Sequence, residues 1–345
     1  MDKIAVSIVI VTYNSKEYLI KCLRSILSSQ TTVNYEIIVI DNCSTDETYN
    51  IVAPMFPNVT FIHNTTNRGF SYANNQGIKV AHGKYILLLN PDTLIIDNAI
   101  DIMVNYLESN PKVGACGCKI LNSDGSLQAS CFGFPTLLKE IGHLLRLDLV
   151  TRFASIAKVA KLLSKILRVN LSVLNVSESV GQVDYLLGAC IMFPCTVLNH
   201  VGLLDEKIFM YIEDTEICYR IKSNGYLVCY VPFGKIIHFG GKSTATADSH
   251  MLMEYNRSRL YFYRKYYGEM RAYALRIIII FDMLIKMILI WFIKYQSEMQ
   301  QLQIRYKQDI GDSKYKPYVS TLHDRVKRFK QYFEIIKMTA HFCQK

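Results

Sequence analysis

Over roughly the first 120 residues, short and almost unbroken apolar runs alternate with segments whose apolar residues recur at helical spacing. Residues 4–11, 36–40, 59–63 and 85–89 are runs of strand length, rich in β-branched side chains. Between the first two, Leu19, Cys22, Leu23, Ile26 and Leu27 keep a helical period, with Asn14 or Ser15 placed to cap it. Continuous apolar strands separated by helices predict an α/β fold, a Rossmann-like and mostly parallel sheet flanked by helices on both faces. In such sheets ligands gather where the strands end. Each run here stops in a polar cluster: Thr12-Tyr13-Asn14, then Asp41-Asn42-Cys43-Ser44, then Asn90-Pro91-Asp92.

The rhythm changes further on. Asn122-Ser123-Asp124-Gly125 reads as a hairpin turn. Residues 137–175 space Leu137, Leu138, Ile141, Leu144, Leu145, Leu162, Leu163, Ile166 and Leu167 as helices do. Interleaved are Lys139, Arg146, Arg152, Lys158, Lys161, Lys165 and Arg168. A basic amphipathic helix of this kind lies on an anionic membrane surface or packs, solvated, on its own domain. Strand-like segments return at 184–193 and 227–231, flanking a polar helical piece at 213–223. Beyond Gly241 the chain reads as helical and basic, with six tyrosines from Tyr255 to Tyr273. Residues 277–293 are almost wholly apolar but hold Asp282 and Lys286, four apart and able to pair on one helix face. A membrane span needs ~20 apolar residues and tolerates central charges badly, so in-plane association is predicted over a crossing. The expected division is a domain at 1–245, with a helical basic insertion at 137–180, followed by a helical, membrane-associating region at 246–345.

Charge adds one distinction. The net charge is +10, and residues 1–135 are nearly balanced, so the basic excess lies between Lys139 and Lys345. A basic, tyrosine-rich second half favours partners that carry phosphate, either nucleic acid or anionic lipid. The ten cysteines include no C-x-x-C pair, and the apolar run at 4–11 is too short for a secretory h-region. Both observations predict work in a reducing compartment.

The polar strand ends carry candidate chemistry. Thr12, Tyr13, Asn14, Asp41 and Asn42 close neighbouring strands, and an Asp there suits an imide N–H of uracil or thymine; such residues also cap turns. Arg68 and Gly69 precede a helix and can approach a phosphate. Asp92 follows a buried run, where a carboxylate can hold Mg²⁺ or Mn²⁺ and neutralise a leaving diphosphate, or simply form an Asx-Pro turn. Glu213, Asp214 and Glu216 stand in greasy surroundings, where a carboxylate of raised pKa serves as a general base. His238 follows an apolar run and precedes Gly240-Gly241-Lys242-Ser243, which lacks the first part of a P-loop.

Taken in order, these motifs resemble the inverting family-2 glycosyltransferases of the GT-A fold, above all the bacterial rhamnosyltransferases of surface polysaccharide synthesis. The resemblance runs from about Val6 to about Tyr267. It rests on the stretches beginning at Val6, Ile40, Asn67, Leu89, Gly188, Val201, Phe209 and His238. It implies contacts to the donor from Thr12, Tyr13, Asn14, Asp41, Asn42, Arg68, Gly69, Asn90 and Glu213. It implies Asp214 as catalytic base, and Asp92 and His238 as ligands of a divalent Mg or Mn ion. One position departs from the family pattern: Asn90 stands where the D-x-D motif has its first Asp, so the site has one charge fewer. The implied reaction moves L-rhamnose from dTDP-L-rhamnose to a hydroxyl of a polyprenyl-diphosphate-linked saccharide, on the cytoplasmic face of the cell membrane. A UDP-hexose transferase of the same fold is the alternative, and a homo-oligomer is compatible with either. A nucleic-acid-binding protein is the distant reading, since it leaves Asp41, Asp92 and Asp214 without a task. A polymerising synthase would need several long apolar spans, and only residues 277–293 approach one.

Overall fold

The computed structural model describes residues 3–145, 179–240, 249–308 and 319–341. The basic helical pattern from Arg146 onward and the stretch Gly241-Lys242-Ser243 lie outside the described residues. Those described fall into two units, one built from 3–135 with 179–240 and the other from 136–145 with the helices after 249.

The first unit is a mixed sheet with helices on both faces. Its strands are β1 (Val6–Thr12), β2 (Tyr35–Asp41), β3 (Thr60–His63), β4 (Tyr85–Leu89), β5 (Thr93–Ile96), β6 (Val113–Leu121), β8 (Gly181–Gln182), β10 (Cys190–Pro194) and β11 (Leu227–His238). The order is β3-β2-β1-β4-β10-β6-β11-β5, with β8 beside β11. From β3 to β4 all neighbours are parallel, as the unbroken apolar runs require when both faces are covered. A further pair, β7 (Cys131–Phe132) with β9 (Tyr185–Leu186), stands apart from the sheet.

Alternate side chains along each strand feed two cores. Ile8, Ile10, Val39 and Leu87 pack with α1 (Lys16–Leu27), α2 (Thr48–Met55) and α4 (Ala99–Ser109). Val9, Val11, Ile38 and Leu88 pack with α3 (Phe70–Val80), α6 (Cys195–Val201) and α7 (Glu213–Ser223). Glycine makes one close approach possible: a Cβ on Gly77 would stand 2.5 Å from Val9, so α3 rests directly on the sheet.

Two segments differ from the sequence expectation. The strand-like stretch 184–193 is broken at 187–189 into β9 and β10, and β10 runs antiparallel between β4 and β6. The stretch 227–231 continues to His238. Pro232 has no N–H to give the ladder, and the pairing with β6 jumps there from Val231↔Cys118 to Lys235↔Lys119. The strand then resumes beside β5, with His238 opposite Thr93. That jump sets which residue of β11 arrives next to Asp92.

The second unit is helical: α5 (Leu137–Leu144), α8 (Ser249–Tyr267), α9 (Glu269–Gln308) and α10 (Val319–His341). The sequence reading places α5 in an insertion of the first domain, whereas it packs with α9 and ties Glu140 to Arg259 of α8. Both ionic partners are largely buried, and a buried charge is retained only when paired. Gly268, at φ +85, makes the one-residue break between α8 and α9. Asp282 and Lys286 pair at 2.6 Å, as their spacing predicts. Among the described residues, no helix is long and apolar enough to cross a membrane.

Candidate active site

The parallel register places Thr12, Asp41 and His63 side by side at the ends of β1, β2 and β3. Asp41 is 1% exposed. Its Oδ2 lies 2.8 Å from His63 Nδ1, whose ring leans against Tyr49 at 4.7 Å between centroids, while Oδ1 has no hydrogen-bond partner. Thr12 Oγ1 is likewise buried and without one. Buried polar atoms are almost always paired, so an acceptor and a hydroxyl left open together mark a place for a ligand's own donors and acceptors. Tyr13, 43% exposed, follows directly.

The neighbouring amides are already engaged. Asn14 Oδ1 accepts from the Thr45 N–H, and the Asn14 N–H donates to Ser44 Oγ. Asn42 donates to Asn67 Oδ1 and the Gly69 carbonyl and accepts from Asn64. Both therefore shape the pocket loops. Arg68 is exposed, with its guanidinium 3.7 Å from the centre of the Tyr72 ring. Gly69 has φ +96, and a Cβ there would fall 2.6 Å from the Phe209 carbonyl oxygen. The Phe70 N–H donates to that same oxygen at 2.6 Å, which couples the start of α3 to the loop before α7.

Asp92 and His238 meet because β5 and β11 pair: His238 Nε2 lies 3.2 Å from Asp92 Oδ1, both side chains nearly buried. His238 Nδ1 lies 2.8 Å from Gln128 Oε1. With the amide oxygen as acceptor, Nδ1 donates, and Nε2 is the ring nitrogen turned to the carboxylate, as a donor when protonated and as a ligand for a cation when not. A ring N–H held by an outer partner is the usual setting of a metal-bound histidine, and Asp92 places a carboxylate oxygen beside the other ring nitrogen. No group of three His, Cys, Asp or Glu among the described residues could hold a metal alone. The two residues fit an ion of the Mg²⁺ kind, which takes one or two protein ligands and completes its shell with substrate phosphates and water. Asn90 is fixed through its backbone: its N–H donates to the Ala189 carbonyl, and its own carbonyl accepts from Thr93 Oγ1.

The third cluster opens α7. Tyr211 and Ile212 both have left-handed backbones, φ 65 and φ 70. For a β-branched residue this is a costly conformation, of the sort that surrounding structure enforces at functional sites. Asp214, partly exposed, accepts from the Gly188 N–H through Oδ2 and from the Thr215 N–H through Oδ1. Burial pushes its pKa up, and these hydrogen bonds restrain the rise. Glu213 is buried, with Oε2 lacking a partner; burial first, and the Asp214 charge second, push its pKa up to about 8. Both neighbouring carboxyls therefore bind a proton more readily than an exposed carboxylate does. Glu216 has a different task. Fully buried, it grips Arg220, whose other donors bind the carbonyls of Val201, Gly202 and Leu203.

The loop that carries Asn90 and Asp92 and the start of α7 at Asp214 are joined through one bend. Gly188 donates to Asp214, and Ala189 next to it accepts from Asn90. Gln128, His63 and Arg220 carry no motif in the sequence. Only the hairpin turn before Gln128 signals that the residues after it fold back along β6, where Gln128 N–H meets the Ile120 carbonyl.

Comparison with known proteins bears on the fold and on the first part of the chain. The family model described as Glycosyl transferase family 2 matches residues 7–130. The matched segment holds Thr12, Asp41, Asn90 and Asp92 and stops before Asp214 and His238. An N-acetylglucosaminyl-diphospho-decaprenol L-rhamnosyltransferase of Mycobacterium tuberculosis is 25% identical over 279 residues, 77% of this chain and 86% of that protein. The mannosyltransferase PcManGT from Pyrobaculum calidifontis, solved with GDP-Man and Mn²⁺, superposes with a TM-score of 0.51 at 15% identity, over 98% of this chain and 84% of that one. GalNAc-T7, solved with UDP, GalNAc and Mn²⁺, gives a TM-score of 0.51 at 16% identity over 76% of this chain, which spans 50% of that protein. These likenesses show the GT-A fold.

Proposed function

We propose that this chain, which carries a family 2 glycosyltransferase domain on the GT-A fold, is an inverting transferase that moves L-rhamnose from dTDP-L-rhamnose to a hydroxyl of a polyprenyl-diphosphate-linked saccharide. The observation that carries the transferase chemistry is the bend at 188–189, which ties the Asn90–Asp92 loop to Asp214. The rhamnosyl assignment rests on the relative that bears that activity in its name and on the motif beginning at His238.

In this reading Asp41 Oδ1 accepts the imide N–H of the base, and His63 keeps the carboxylate turned towards it. Thr12 Oγ1 supplies a hydroxyl beside it. Asp92 and His238 hold a divalent ion, Mg²⁺ or Mn²⁺, which when bound neutralises charge on the diphosphate. Asp214 takes the proton of the acceptor hydroxyl, which then attacks the anomeric carbon on the face opposite the diphosphate and inverts it. Burial makes Asp214 a stronger base than an ordinary carboxylate while leaving it partly exposed to the acceptor. Most of the acceleration in such a site comes from positioning and charge stabilisation.

A second reading, transfer of a UDP-hexose, is supported by the base pocket itself. Asp41 would read the imide edge that uracil and thymine share. Calorimetric titration with dTDP-L-rhamnose, UDP-galactose, UDP-N-acetylglucosamine and GDP-mannose, each with and without Mn²⁺, separates the two. Selective, Mn²⁺-dependent binding of dTDP-L-rhamnose is the expected result. Selective binding of a UDP-sugar overturns the rhamnosyl assignment, and binding of none overturns the transferase reading.

A further inference from the structure

Helix α9 has two apolar faces. Ala272, Leu275, Ile279 and Met283 are buried within the helical unit. Tyr273, Ile277, Phe281, Leu284, Ile288 and Trp291 are exposed, with Phe281 at 54%, Ile288 at 63% and Trp291 at 61%. Their three- and four-residue spacing lines them along one side of the helix for about 27 Å. No charged residue interrupts that row. Asp282 and Lys286 lie on the opposite side of the helix, about a quarter exposed, and neutralise each other at 2.6 Å. A continuous exposed apolar row of this length is larger than a free surface normally carries and marks a contact with something apolar.

Charge identifies the occupant. The stretches 136–169 and 247–345, which supply the helical unit, contain 25 Lys and Arg against 11 Asp and Glu. The rest of the chain has 14 against 18, so the whole positive excess lies in the unit that carries the apolar row. On α10, Arg328, Lys330 and Lys337 are exposed together with Phe329 and Phe333. A second copy of the chain would bring two strongly positive units together and repel. Nucleic acid would satisfy the charge but leave the aliphatic row in water. A bilayer with anionic headgroups satisfies both, and rings such as Tyr273 and Trp291 are of the kind that settle at its interface.

We propose that α9 lies in the plane of an anionic lipid surface, its exposed row buried at the boundary of headgroups and acyl chains. The proposed arrangement is in-plane; among the described residues no helix is long and apolar enough to cross. This inference stands independently of which sugar is transferred.

The chain contains a single tryptophan, and it lies in the row, so its fluorescence reports the contact directly. The full chain would be titrated with vesicles of phosphatidylcholine containing phosphatidylglycerol and with vesicles of phosphatidylcholine alone. Co-flotation would be measured alongside Trp291 emission. The expected result is flotation with the anionic vesicles, a blue shift of Trp291, and a loss of more than about tenfold in partitioning for the double variant Phe281→Glu, Ile288→Glu. Donor binding and circular dichroism show that the variant is folded, and the milder Ile288→Ser should give a smaller loss in the same direction. Wild-type protein that fails to float, floats equally with neutral vesicles, or floats undiminished in the double variant overturns the proposal. So does a dimer in sedimentation velocity that the double variant abolishes while vesicle binding is unchanged.

Discussion

Three carboxylates stand within four residues at the start of α7, and exchanging each for its amide should give three different outcomes. Asp214→Asn removes the proton acceptor but keeps a side-chain oxygen for the Gly188 or Thr215 N–H. Since burial already disfavours the charge of Asp214, a neutral amide should cost the fold little. Loss of a positioned general base lowers turnover by about 10²–10⁴, or roughly 3–5 kcal/mol of barrier. Glu216→Gln should do the reverse. Glu216 is fully buried and accepts three hydrogen bonds from Arg220, whose side chain is 17% exposed. Breaking a buried pair costs about 3–5 kcal/mol, and the partial exposure of Arg220 together with its three carbonyl partners favours the lower end. For a unit of this size that lowers the melting temperature by about 5–10 °C, with kcat per folded molecule little changed. The assay pairs thermal unfolding with single-turnover transfer from whichever donor binds. The reasoning fails if folded Asp214→Asn turns over within about threefold of the wild type, or if Glu216→Gln loses turnover at an unchanged melting temperature.

Other outcomes follow from the same geometry. Gln128→Ala should weaken Mn²⁺ binding in the presence of nucleoside diphosphate by about tenfold or more, and His238→Ala by at least as much; an electron-spin-resonance titration showing wild-type affinity in both would refute the metal assignment. The raised pKa of Glu213 means that the folded protein keeps a proton which the unfolded chain releases above its ordinary value of 4.5. Stability from this group is therefore present at low pH and declines between about pH 4.5 and 8, at up to about 1.4 kcal/mol per pH unit. Glu213→Gln should flatten that decline in pH-dependent melting curves, and an unchanged slope would show that Glu213 does not hold the proton. Gly69→Ala puts a methyl group on the Phe209 carbonyl at a backbone φ of +96, and should destabilise by about 1–3 kcal/mol in chemical denaturation.

The strand ends were legible because a buried parallel strand is written as an unbroken apolar run, and the polar residues that stop it are conspicuous. Thr12, Asp41 and Asp92 were found that way, and the register then aligned Thr12 with Asp41. The partners that orient these groups left no comparable mark. His63 closes a strand whose side chains are only half buried, and Gln128 is an ordinary residue after a turn. Their importance comes from pairings between segments 22 and 110 residues apart, which no local pattern encodes. The long-range partner of α5 was likewise not legible: Glu140 pairs with Arg259, 119 residues on.

Asn90 shows how sequence and structure divide the question. By sequence it is a defect, one carboxylate fewer in a motif that binds a cation. By structure its backbone is fully engaged, with Ala189 on one side and Thr93 on the other, so the loop that presents Asp92 does not depend on the side chain. The missing charge therefore bears on affinity and leaves position intact. If the proposed ion binds, a larger share of its binding would have to come from His238, whose ring is held by Gln128. Restoring the charge with Asn90→Asp should tighten Mn²⁺ without altering donor preference, because the base pocket at Asp41 lies on a different strand end. A change in donor preference in that variant would mean that Asn90 contacts the sugar, and that its amide is retained for recognition.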